Sequence, residues 1–199
     1  MKINSYKIDS SLVGKCIVST PAMPDNRFYK AVVFITSHNA NGSMGIVINK
    51  PSAHQFIHIV KSVMNDFDEK TLIMADQKVS IVLGGPANPN NLFILHSNDY
   101  KMKDTSVVTD KLNMTNQPSI ITDLAKATGP KQSIISIGCS TWVAGQLEKE
   151  LATDSWVIAD MSLEQVFNIQ ANKLHDELSH VIGINTNNSA FFASSDKIN

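Results

Sequence analysis

The chain has 199 residues, 43% hydrophobic and 18% charged, with a formal net charge of −1. That mix is globular rather than disordered, and the length allows a sizeable core. The balance supplies no basic face for gripping phosphates, no polybasic membrane patch and no acidic tail.

Cys16–Ile17–Val18–Ser19 reads as a short strand stopped at Pro21, and Ala22 to Asn26 as a loop carrying Pro24. Ala31 to Thr36 is rich in β-branched and aromatic residues, which predicts a strand. His38 to Ser43 has turn chemistry, because Asn and Gly tolerate positive φ. Met44 to Asn49 is the returning strand, ended by Pro51, so the pair predicts a hairpin with a longer loop. Ala53, Phe56, Ile57, Val60, Val63, Met64 and Phe67 keep helical spacing, with Ser52 as a candidate cap. Strands follow over Val79–Leu83, Leu92–His96 and Thr105–Thr109. A short helix is predicted over Pro118–Ala127, capped by Asn116 or Thr115 and stopped at Gly129–Pro130. Ser133–Gly138 is strongly apolar and predicts a strand that turns into a helix from about Trp142 to Ala152. Ser155–Ala159 predicts a further strand. Ser162 and Gln165 have capping-box spacing. The helical pattern from Leu163 to Val181 breaks near Asn168, and the tail beyond Asn185 is polar and expected to fray.

Hairpin strands early and strand–helix units later predict a single α+β domain over 1–199, with a core at about 12–182 and a polar tail at 185–199. Two cysteines, Cys16 and Cys139, make neither a disulfide framework nor a metal quartet. Met1 to Lys15 lacks the apolar core of a signal peptide, and no run approaches the roughly 20 apolar residues that span a bilayer. A soluble, reduced, cytoplasmic protein is expected, with no membrane partner.

Four segments could carry chemistry. In the first, His38 and Asn39 either face a ligand or serve the hairpin turn. In the second, Lys50 of Asn49–Lys50–Pro51 is a candidate contact for an anion or a solvated lysine at a strand end. In the third, Gly84–Gly85–Pro86 can expose backbone N–H groups to an anion, or simply turn tightly. It has neither the Lys-Ser/Thr of a P-loop nor the GxGxxG spacing of a dinucleotide site. His96, at the end of the next strand, is a polar candidate near it. In the fourth, Gly138–Cys139–Ser140–Thr141–Trp142 meets Gly145–Gln146–Leu147–Glu148. A strand that turns sharply into a helix there would hold Cys139 or Ser140 as a nucleophile, with His38 or His96 as its base. The alternative reading makes Ser140 or Thr141 a helix cap and packs Trp142 on the core. His54 and His58, at i and i+4, have the spacing of a zinc pair but no identifiable third ligand, so no metal and no cofactor are expected.

Taken in order, these segments resemble the YqgE/AlgH family. The resemblance rests on Pro21–Ala22–Met23 with Asp25 and Phe28, His38–Asn39 through Gly42, Met44–Gly45 and Asn49–Lys50–Pro51. It continues through Gly84–Gly85–Pro86, Phe93–Ile94–Leu95–His96, Gly138 with Trp142, Gly145–Gln146–Leu147–Glu148 and Trp156, and spans about Leu12 to Leu178. It implies a bacterial cytosolic protein with a bent, partly barrel-like mixed sheet flanked by helices. It also implies a regulatory label, transcriptional in part, with no settled activity. At Cys139 the chain departs from the Tyr common in the family pattern, which argues against a family-wide cysteine nucleophile. The leading expectation is a non-catalytic regulatory or ligand-binding domain acting on a small molecule or a protein partner. Its candidate surface comprises His38, Asn39, Lys50, Gly84, Gly85, His96, Cys139, Trp142, Gln146 and Glu148. The alternative is a hydrolase or acyl-transfer enzyme using Cys139 or Ser140. Direct nucleic-acid binding is disfavoured by the near-neutral charge and the lack of a basic recognition helix.

Overall fold

The computed structural model describes residues 11–64, 79–168 and 170–184. Strand β1 (Cys16–Ser19) is followed by a 3₁₀ turn at Asn26–Phe28, then by β2 (Val32–Asn39), β3 (Gly42–Val47) and helix α1 (Phe56–Val63). Next come β4 (Ser80–Leu83), β5 (Ala87–Ser97), β6 (Ser106–Val107), β7 (Leu112–Thr115) and α2 (Ser119–Ala125). The chain continues through β8 (Ser133–Val143), α3 (Gln146–Ala152), β9 (Trp156–Ala159), α4 (Leu163–Phe167) and α5 (Ala171–Ile182). The nine strands form one curled sheet in the order β6-β7-β5-β8-β3-β2-β1-β9, with β4 alongside β8. Every pairing is antiparallel except β4 with β8, so the α+β expectation of a bent mixed sheet with flanking helices holds as a half-barrel.

The central strands are apolar almost without interruption because both of their faces are covered. Cys16, Val18, Val32, Phe34, Ile46 and Ile48 point into the concave core, beneath Val166, Leu174 and Leu178 of α4 and α5. Their alternating neighbours Ile17, Val33, Ile35 and Val47 point to the other face, against Trp142, Leu147 and Trp156. A third cluster packs Phe56 and Val60 of α1 and Ile120, Ile121 and Leu124 of α2 on Ile81, Ile94 and Ile135. The period of two in the sequence therefore sorts side chains between cores rather than between core and solvent.

Strand β8 organises the sheet. Its first half lies between β5 and β4, and its second half pairs with β3. Strand β4 wedges in where the chain beyond β3 leaves β8, bridging to it through Leu83 N–H to the Lys50 carbonyl (2.8 Å) and Ser52 N–H to the Ile81 carbonyl (2.9 Å).

Several expectations are corrected. The β2–β3 hairpin closes on Ala40 and Asn41 alone, with Asn39 opposite Gly42, so its loop is short. Helix α1 begins at Phe56 after Gln55, while Ser52 Oγ accepts from His54 N–H (3.1 Å) as a turn and does not cap the helix. Phe67 of that pattern lies outside the described residues, as does the tail. The strand expected at Thr105–Thr109 shrinks to Ser106–Val107, and Leu112–Thr115, too polar to read as a strand, pairs with β5. Helix α2 has Pro118 at its cap, and Thr115 Oγ1 instead accepts from Gln117 N–H (3.2 Å).

The largest correction concerns Gly138. It does not end the strand: β8 runs on through Cys139, Ser140, Thr141 and Trp142 to Val143, and helix α3 begins only after Gly145. Gly138 takes φ +70° within the strand, where β5 bulges between Ala87 and Leu92. A positive φ in a strand looks like a turn in sequence, and the β-forming residues after it were the better signal. The Ser162–Gln165 capping box and the break between α4 and α5 at Asn168 occur as expected.

Candidate functional site

The Gly84–Gly85 segment lies where β3, β4 and β8 meet, and it is tightly packed. Gly84 N–H donates to the Ile137 carbonyl (2.9 Å), and its own carbonyl accepts from Val47 N–H (2.9 Å) and Ser140 Oγ (3.1 Å). A Cβ on Gly84 would overlap Ser136 Oγ and lie 2.5 Å from the Gly138 carbonyl oxygen. Gly85, at φ +143°, approaches Cys139 so closely that a Cβ would sit 2.5 Å from its carbonyl oxygen. These glycines let three backbones cross, and the space an anion would need holds protein.

Cys139 and Ser140 are fully buried in the same crossing. Burial pushes the Cys139 thiol up, only partly offset by Asn88 Nδ2 at 3.7 Å. Ser140 donates to Gly84, so neither group has a histidine as its hydrogen-bond partner. His96 pairs across the sheet with Ser133, at the far end of β8 from Cys139. It is completely buried, bonded through Nδ1 to the Ser97 carbonyl (2.9 Å) and set edge-on to Tyr100. Its Nε2 has no partner, and burial holds the ring's pKa below the usual 6.5.

Trp142 and Gln146 belong to an indole knot. Trp142 Nε1 (2.9 Å) and Trp156 Nε1 (2.7 Å) both donate to Glu150 Oε2, and Gln146 Nε2 donates to Oε1 (2.8 Å). Phe28 packs against both indoles, at 6.3 and 5.3 Å between ring centres. Rings this close leave no space for a guest. Sequence reading missed Glu150, because only the fold brings residues 142 and 156 to the same carboxylate.

His38, Asn39 and Glu148 do share one region. His38 lies at the open end of β2, with Nδ1 2.8 Å from Ser43 Oγ and Nε2 3.7 Å from Glu148 Oε1. Asn39 is exposed and accepts from Asn41 N–H (2.8 Å). Lys50 is distant from this group and committed elsewhere: Nζ donates to the Tyr29 carbonyl (2.7 Å), and burial lowers its pKa. The ten candidates thus fall into a packed glycine crossing, an indole knot, a hairpin rim and two separate sites at Lys50 and His96. Among the described residues, no cluster of three metal-ligating side chains occurs.

A cleft of about 350 Å³ opens at the other end of β3. Its lining includes Ile48, Phe56, Val82 and Ile134, all buried, and the half-buried Phe167 and Ala171. Ser52, His54, Gln55 and Ser80 stand at its mouth, half-buried or exposed. His54 precedes α1 and does not share a helical turn with His58, so the expected i, i+4 face is not formed. No sequence signal marks this cleft, because its lining comes from five separated segments.

The chain is similar to known proteins in sequence and in fold. A UPF0301 protein of Bartonella quintana is 32% identical over 179 residues, covering 89% of this chain and 92% of its own length. A UPF0301 protein of Xylella fastidiosa is 31% identical over 155 residues, covering 77% of this chain and 80% of its own. The solution structure of AlgH from Pseudomonas aeruginosa superposes with a TM-score of 0.73 at 26% identity, covering 100% of both chains. The crystal structure of a Corynebacterium diphtheriae protein matches with a TM-score of 0.65 at 15% identity, over 86% of this chain and 88% of that one, and shares the fold. A family model described as AlgH-like matches residues 16–187, and the chain belongs to the YqgE/AlgH family.

Proposed function

We propose that this protein is a non-catalytic ligand-binding domain with a regulatory role in the bacterial cytoplasm, and that the cleft between the chain leaving β3 and β4, α1, α4 and α5 is its binding site. The observation that carries this reading is the cleft itself: about 350 Å³, walled by segments far apart in the chain, with the half-buried Val79 and Phe167 beside the polar Ser52, His54, Gln55 and Ser80. Small-molecule sites have this size and combine apolar side chains with a few polar groups. The hydrolase alternative has less support. Its two nucleophile candidates lie inside a packed strand crossing, and the Cys139 thiol is pushed toward the unreactive neutral form. A thermal-shift screen of uncharged and charged metabolites tests the binding reading. A compound that raises the melting temperature of the wild type but not of a folded Ala171→Trp variant is expected. A screen in which every compound acts equally on both proteins would sink it.

Of the sequence-derived candidates, His38, Asn39 and Glu148 remain as a contact surface for a protein partner, since they keep polar groups at an open rim. A His38→Ala/Glu148→Ala variant should leave small-molecule binding in the cleft unchanged.

A further inference from the structure

We infer that the corner after β5, from Asn98 to Thr105, is released by acid, with protonation of the buried His96 as the trigger. This device is independent of the cleft. His96 is completely buried near the end of β5, opposite Asn113 of β7 and Ser133 of β8. Its Nδ1 lies 2.9 Å from the Ser97 carbonyl, which can only accept, so Nδ1 carries the proton and Nε2 keeps a bare lone pair. Among the described residues, Nε2 has no hydrogen-bond partner. A second proton would therefore put an unpaired N–H and a charge in the interior. Burial opposes that charge, and it outweighs the Ser97 carbonyl and the Asp99 carboxylate, which favour it.

The acidic groups nearby are already engaged. Asp99 accepts from Ser97 Oγ and from Lys131 N–H (3.4 Å). Tyr100 stands edge-on to the imidazole, with 5.9 Å between ring centres, and its hydroxyl donates to Asp123 of α2. Asn113 and Ser133 are neutral, and Asn113 Nδ2 donates to the Tyr100 carbonyl (3.4 Å). A charged His96 thus reaches a carboxylate or water only if the bonds holding Asp99 and Tyr100 give way. The corner is the element able to yield. It contains neither helix nor strand, and Asn98, Asp99, Lys101, Lys103 and Asp104 on it are exposed, whereas β5, β7 and β8 are laddered together. Once the corner is open, His96 takes up a proton at its ordinary pKa near 6.5; while it is closed, the pKa is lower. Closure is therefore equally favoured at every pH above about 6.5, and below that weakens by at most about tenfold per pH unit.

Amide hydrogen exchange of the full chain, read by mass spectrometry from about pH 7.5 to about pH 5 and corrected for the intrinsic rate, tests this. Peptides covering the corner should exchange faster than those of β2 at every pH, and should quicken about threefold or more on the acid side, with an onset near pH 6.5. In His96→Gln, with its fold checked by near-ultraviolet circular dichroism, the acid quickening should vanish. Tyr100→Phe keeps the histidine and removes the bond to Asp123, so its corner should open more at every pH with the acid onset retained. A corner that exchanges no faster than β2 would show that it does not open locally, and would overturn the inference. So would acid quickening that persists in folded His96→Gln, or that is lost in Tyr100→Phe. An onset near pH 4 in the wild type would assign the trigger to a carboxylate and overturn it without recourse to any variant.

Discussion

Glu150 is the side chain with the most at stake per atom. One carboxylate satisfies two indole N–H groups and an amide, in a cluster where Trp142 and Trp156 are 5% and 1% exposed. Removing it strands buried donors, each costing about 1–3 kcal/mol. Glu150→Ala should therefore lose roughly 3 kcal/mol in urea unfolding, with a red-shifted tryptophan emission; a loss below about 0.5 kcal/mol would contradict the knot. Gly85 is as constrained, by backbone rather than charge. Gly85→Ala would force a side chain against the Cys139 carbonyl at φ +143°, so poor folding or a melting temperature many degrees lower is expected. His96 makes the pH prediction. Its folded pKa is held below 6.5 by burial, so the unfolded chain takes up the proton first. Stability should be level above about pH 6.5 and fall as pH drops from there through the folded pKa. Denaturation midpoints across this range should be flatter in His96→Gln; an unchanged slope would place the titration elsewhere.

At the scale of elements, β8 and the two C-terminal helices show how local signals compete. The apolar run Ser133–Ile137 asks for a strand, and Gly138 reads as its stop. Strand β8 survives because β5 bulges opposite Gly138, and the pairing with β3 beyond it keeps the backbone extended. Helices α4 and α5 follow their own signals instead. Ser162 Oγ accepts from Gln165 N–H (3.2 Å) and Gln165 Oε1 from Ser162 N–H (2.8 Å). Helix α5 ends at Gly183 with φ +76°, where Ile184 N–H returns to the Ser179 carbonyl (2.8 Å). A five-residue helix such as α4 depends on its cap. Ser162→Ala should cost about 1 kcal/mol in equilibrium unfolding. No measurable change would mean that Val166, buried in the concave core, holds α4 alone.

For the whole molecule, the half-barrel creates a concave core under α4 and α5 and two outer clusters under separate helices. Phe34 of β2 faces the concave core and is 1% exposed, so Phe34→Ala should cost about 3–5 kcal/mol. Val181, 80% exposed on α5, should change stability by no more than about 0.5 kcal/mol when replaced by Ala. A reversal of that order in chemical denaturation would contradict the placement of the concave core. The cleft lies where β4 wedges between β8 and the chain leaving β3, with residues of α1, α4 and α5 in its lining.

The sequence by itself determined the α+β class, the apolar strands at Cys16–Ser19, Val32 onward and Ser133 onward, the capping box at Ser162 and the break at Asn168. Each depends on residues within a few positions of one another, where periodicity, turn chemistry and side-chain capping act directly on the backbone. Membership of the YqgE/AlgH family was likewise legible in the ordered motifs. Only the tertiary structure decided what those motifs do. Gly84, Gly85 and Gly138 are glycine because distant backbones cross there. Trp142 and Gln146 serve a carboxylate that also takes its third bond from residue 156. Asn49 bridges Val32 N–H and the Lys30 carbonyl, each at 2.8 Å, across the start of β2. The cleft has no local signature, because enclosing a volume needs walls from segments far apart in the chain, and their meeting is set by the twist and branching of the sheet.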